Sequence, residues 1–176
     1  MTISPADATD ALAAVDDARK RGAILRGYSH SGTIAIAWGM VWLSGNLTMQ
    51  LAPGAAAWVW RVGLVLAIGY SVLRRSEKNG WRAPLTALAM AAFLLLAEAM
   101  LGGVDARLHN ALTSALVGLA YLMLGIWVGV RFAVLGAAIW GAVVLGWFLF
   151  PAALYVLMGL GGGGAFIITG LWLRRA

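Results

Sequence analysis

Two charged residues stand inside otherwise apolar segments, Arg61 and Glu98. A lone charge in hydrocarbon costs about 2.5–3.5 kcal/mol even on the permissive scale, so such a group pairs, faces a wet cavity or snorkels to an interface. At the helical rise, Arg61 lies about 6 Å inside the start of one segment and Glu98 about 6 Å before the end of the next. Sequential antiparallel helices then place the two at matching depth. The expectation is an Arg61–Glu98 ion pair facing the bundle interior, able to act as a substrate or proton site. Two blander readings stand beside it: the pair only fixes helix register, or Arg61 snorkels outward.

Further polar residues gather towards the same side. Asn46 and Gln50 close the first segment, Asp105, Arg107, His109 and Asn110 form a loop, and Thr113 and Ser114 follow. Together they predict a small outward-facing polar crevice, unless they are ordinary loop and interface residues. Asp105 and His109 are two candidate metal ligands without a recognised spacing, and His30 lies almost a bilayer away from His109, so neither a metal nor a haem is expected. No lysine falls inside a segment, and no nucleophile triad or phosphate loop is evident, so no cofactor is expected. The run Gly161, Gly162, Gly163 and Gly164, with Gly159 and Gly170, reads as a face for close helix packing, with a hinge as the alternative. Gly125 and Gly129, and Ala137 and Gly141, read the same way. Trp38, Trp42, Trp140 and Tyr121 lie deep and read as aromatic core rather than as a ligand pocket.

The elements that must position these groups follow from composition. The chain has 176 residues, 62% hydrophobic and 11% charged, with mean hydropathy +0.86. Soluble domains carry about 25% charged residues. The apolar stretches exceed the roughly 18 residues that mark a membrane span. The fold class expected is an all-α membrane protein, a bundle of six transmembrane helices in three sequential hairpins. The spans fall near 32–52, 57–74, 83–102, 111–130, 132–149 and 152–173. The uncharged stretch Phe132–Leu173 is too long for one crossing, and Pro151 divides it, since proline removes a helix donor and restricts the residue before it. Two regions result, a cytoplasmic N-terminal helix and linker over 1–30 and a transmembrane domain over 31–176. Residues 4–21 read as an amphipathic helix with Ser4 as cap, Pro5 in the first turn and Arg19, Lys20 and Arg21 at its end.

The net charge of +6 is explained by topology rather than by nucleic acid. Arg74, Arg75, Lys78, Arg82, Arg131, Arg174 and Arg175 fall on one side with Arg19, Lys20, Arg21 and Arg26, against Arg107 on the other. The basic side is cytoplasmic, which puts both termini inside an inner membrane. With Asp7 and Asp10 ahead of any base, no signal peptide is expected. The chain has no cysteine, which removes disulfides and thiolate chemistry.

A weak parallel repeat relates Ala35–Gly39 and Leu73–Arg75 to Gly136–Gly141 and Leu173–Arg175. The glycine and proline spacing at Gly39, Gly45 and Pro53, and again at Gly141, Gly146 and Pro151, is loosely similar to that of small six-helix acid-stress membrane proteins. The likeness is one of pattern and implies no function. The expected role is a membrane subunit without catalysis, an accessory, sensor or scaffold. Its partners would be the lipid bilayer and a protein or a second copy, met through the glycine-rich faces and the N-terminal helix. A small-solute or proton-coupled transporter using Arg61 and Glu98 is the alternative. A lipid-modifying enzyme using His109, Asp105 and Glu98 is the third.

Overall fold

The computed structural model describes Val15, residues 32–74 and residues 82–175. Among these residues the chain is all helical, with no strand. Helix α1 covers 32–51, α2 Pro53–Leu73, α3 Arg82–Met100, α4 Ala106–Val128, α5 Val130–Leu149 and α6 Pro151–Arg174. Four of them, α2, α4, α5 and α6, are long and apolar enough to cross a membrane, and α3 adds a shorter apolar stretch, Pro84–Met100. Ser44, Asn46, Thr48 and Gln50 make the second half of α1 more polar than those four. The helix expected over 4–21 and the connection 75–81 lie outside the described residues.

The helix boundaries have local causes. Pro53 opens α2 and Pro151 opens α6, where a missing N–H costs nothing. Gly102 and Gly103 turn the chain at φ 75° and 93°, and the Asp105 carboxylate then caps α4 by accepting the Leu108 N–H at 2.7 Å. Gly129, expected to be a packing residue, is instead the whole link between α4 and α5. Its φ of 153° lies where a side chain would be strained, so α4 and α5 meet with almost no loop. Two widened π turns, Leu145–Leu149 and Met158–Gly163, interrupt α5 and α6. The second coincides with the glycine run, whose weak helix preference lets the backbone depart from α geometry.

The core lies among α1, α4, α5 and α6. Ala35, Trp42, Leu135, Ile139 and Phe166 bury together, with Val117 and Tyr121 against them. Tyr121 meets the Phe166 ring edge-on at 5.1 Å, and Trp42 meets it tilted at 5.3 Å. Trp140 does not belong to this core: it is 42% exposed and donates its indole N–H to the Ala115 carbonyl at 2.9 Å. Ala142, Leu154 and Met158 form a second cluster between α5 and α6.

Glycine sets how closely these helices approach. A β-carbon at Gly39 would stand 2.8 Å from the Gly163 carbonyl oxygen, and one at Gly163 would stand 3.0 Å from that of Gly39. Gly32 and Gly170 are related in the same reciprocal way, at 2.6 and 2.5 Å. The pairs are seven residues apart on each helix, two turns, so they form one antiparallel seam between α1 and α6. A second seam joins α4 to α5: a β-carbon at Gly136 would stand 2.6 Å from both the Gly118 carbonyl oxygen and the Leu122 nitrogen. Such contacts gain dispersion and Cα–H···O interactions that lipid cannot replace.

The other two helices flank this core, against which Trp60 of α2 packs. α2 packs on α1, where Gly45 admits the Trp60 ring and Gly63 admits Val41, and Trp38 donates its indole N–H to Ser71 at 3.1 Å. α3 has α4 as its main neighbour.

The seam makes opposite forecasts for two glycines of one helix. Gly136→Ala pushes a methyl into backbone and should destabilise by about 1–3 kcal/mol. Gly141 meets nothing within 4 Å, so Gly141→Ala should be neutral or stabilise by up to about 1 kcal/mol. Thermal unfolding in one detergent checks both. Equal losses would mean that the two helices do not approach as described.

Candidate functional site

The polar residues at the Asp105 end of the bundle come together in two layers. The inner layer is a buried amide pair. Asn46 is fully buried and Asn110 nearly so, and the Asn110 side-chain N–H donates to Asn46 Oδ1 at 2.9 Å. Asn46 in turn donates to the Trp42 carbonyl one turn back, at 3.0 Å. Asn46 lies seven residues beyond Gly39, on the register of the glycine seam, and its β-carbon stands 3.4 Å from the β-carbon position at Gly159. The small residue on α6 thus leaves room for the amide, which reaches across to α4. Ser114, one turn along α4 from Asn110, is also buried.

The outer layer is charged. His109 Nδ1 lies 2.6 Å from a Glu98 carboxylate oxygen, which joins α4 to α3; the side chains are 53% and 17% exposed. Arg107 donates to the Pro151 carbonyl at 2.8 Å, and Gln50 to the Ala152 carbonyl at 3.3 Å. These bonds tie α4 and α1 to the start of α6.

This arrangement corrects the expected Arg61–Glu98 pair. Glu98 is taken by His109. Arg61 is exposed and lies over the Trp58 ring, 5.5 Å from its centroid. Matching depth was the premise of the pairing, but it carries weight only if α2 and α3 are neighbours, and α3 packs on α4 instead. Arg61 stands one turn from the exposed Trp58 ring, a contact that keeps the guanidinium at the bundle surface. Asp105 is likewise used locally, as the α4 cap, rather than with His109. Among the described residues no three His, Asp or Glu side chains gather as metal ligands.

Of the glycines singled out on α6, Gly159, Gly162 and Gly163 are buried and Gly161 faces Ala142, whereas Gly164 meets nothing within 4 Å. The residues that sequence reasoning missed are Gly32 and Gly39, whose seven-residue spacing matches that of Gly163 and Gly170. The Glu98–His109 pair was missed as well, although both residues had been placed at the same end.

Chemically, the site offers a carboxylate–imidazole pair at the rim and neutral amides beneath it. The pair can exchange a proton with solvent and with each other; the amides can hold a neutral hydrogen-bonding group. Two apolar grooves lie away from it, one of about 400 Å³ between α3 and α4 along Met90, Leu119, Met123 and Trp127, and one of about 480 Å³ between α1 and α2 along Met40, Trp58 and Val62. No protein-family model matches the chain, and neither a curated protein nor a solved structure resembles it significantly.

Burial decides which layer matters for stability. Asn46→Leu or Asn110→Leu alone leaves the other amide without its partner and should cost about 1–3 kcal/mol, while the double Leu variant should recover part of that loss. His109→Ala, at an exposed pair, should cost no more than about 1 kcal/mol. A double-mutant cycle by thermal unfolding measures this; additive Asn losses would exclude the buried bond.

Proposed function

We propose that this chain is a six-span inner-membrane protein with both termini in the cytoplasm. It acts without catalytic chemistry of its own, as an accessory, sensor or scaffold subunit. One observation carries the reading: two helices leave most of their large apolar side chains exposed. α2 buries only Ala56 and Ala67, and the described side chains of α3 include no buried residue. Val62, Val65 and Leu66 on α2, and Leu88, Phe93 and Leu95 on α3, are all more than half exposed. The glycine faces, by contrast, are used up inside the bundle. The surface left for a protein partner or a second copy is therefore α2 and α3, together with the segment 1–30 on the cytoplasmic side, set in the lipid bilayer.

The orientation rests on the basic residues at the Arg174 end, against Arg107 at the Asp105 end. In this cysteine-free chain, Ala106→Cys and Arg175→Cys should label from opposite faces of the membrane, Arg175→Cys from the cytoplasm. Labelling of both from one face would reject the topology.

A second reading, a small-solute or proton-coupled transporter, is favoured by the Glu98–His109 rim above the buried Asn46–Asn110 pair. Its site is this polar cluster rather than Arg61 with Glu98. The lipid-modifying enzyme has less support, because Asp105 is spent on the helix cap. Photo-crosslinking separates the first two. A crosslinker at Leu88 or Leu95 should give a protein adduct of one defined mass in native membranes, and one at buried Ile139 should give none. Adducts with lipid alone at both α3 positions would refute the subunit reading.

A further inference from the structure

Three polar atoms near the amide pair are buried without a protein partner: Asn110 Oδ1, Thr113 Oγ1 and the Trp42 indole Nε1. A buried polar group left unmatched costs about 1–3 kcal/mol, and most such groups in native proteins have a partner or an ordered water. Here the orphans are grouped. Asn110 and Thr113 are three apart on α4 and so share a face. Across from them, Asn46 accepts from the other end of the Asn110 amide and donates to the carbonyl of Trp42. The indole nitrogen of Trp42 in turn faces Gly162, where a β-carbon would stand 3.8 Å from it. A glycine in the widened π turn leaves space beside the indole N–H that any other residue would reduce.

We propose that the Asn46–Asn110 pair is the centre of an internal hydration site between α1, α4 and α6. Its ligand is water, or a neutral hydrogen-bonding solute of the same size. One such molecule bridges Asn110 Oδ1 and Thr113 Oγ1, and another accepts the Trp42 indole N–H in the gap at Gly162. The inventory of groups sets the chemistry. Two acceptor oxygens, one of them also a donor, and one indole donor suit a molecule that both donates and accepts. No charged side chain stands among them to balance an ion. Buried waters make about three hydrogen bonds each, which these groups and the neighbouring backbone carbonyls can supply. The site does not depend on the subunit reading and would exist in a transporter as well.

Thr113→Val tests the bridge, since valine keeps the shape and removes the hydroxyl. If the hydroxyl holds water, the variant loses a hydrogen bond and its unfolding midpoint in detergent falls by a few degrees. If the hydroxyl is a true orphan, its removal relieves an unmatched group and the midpoint rises. A fall supports the site; an unchanged or higher midpoint overturns the bridge. A second measurement needs no variant that could misfold. In nitrogen-15-labelled protein in detergent, the Trp42 indole and Asn110 amide protons should show direct cross-relaxation with water. Peaks at exposed Trp127 with none at Trp42 or Asn110 would overturn the hydration site.

Discussion

The closeness of α1 and α6 is the constraint from which the rest of the bundle follows. Hydrophobic segments surrounded by lipid gain little by touching each other through leucine, because lipid tails offer the same contact. They gain when backbones come nearer than lipid can. Gly32 and Gly39 on α1, against Gly170 and Gly163 on α6, provide that approach. Gly118 and Gly136 repeat the solution between α4 and α5, where the one-residue link at Gly129 already holds the two helices side by side. The chain thus brings α1 against α6, with α4 and α5 completing the core.

The seam also explains the polar centre. Residues 32, 39 and 46 occupy one register on α1, and the third is asparagine rather than glycine. An amide buried at that position needs a hydrogen-bond partner inside the bundle. Asn110 supplies it. A buried polar bond of this kind links α1 to α4, a pair of helices that neither glycine seam joins. The Glu98–His109 pair lies at the rim, where solvent weakens it, and its main structural effect is to hold the end of α3.

Much of the architecture was legible in the sequence, because length and apolar composition dictate helices in lipid and because Pro151 divides one apolar stretch into two helices. The polar residues at the Asp105 end were recognisable as a group for the same reason. Which of them pair was not legible. The Arg61–Glu98 expectation assumed that consecutive helices are neighbours, and the fold places α3 against α4 instead. The glycine run was read from its local density, whereas the contact that matters depends on the seven-residue spacing shared with Gly32 and Gly39. The π turn Met158–Gly163 coincides with that glycine density, whereas the one at Leu145–Leu149 has no comparable run to announce it.

The most direct test of the α1–α6 approach compares two neighbours in one glycine run. Gly163 faces the backbone of α1, with Leu43 N and the Gly39 oxygen 2.8 and 3.0 Å from its β-carbon position, while Gly164 meets nothing within 4 Å. Thermal unfolding of Gly163→Ala and Gly164→Ala in the same detergent should show a clear fall for the first, worth about 1–3 kcal/mol. The second should show no fall, or a small rise from the better helix former. Equal midpoints for the two variants, or a loss confined to Gly164→Ala, would contradict the seam.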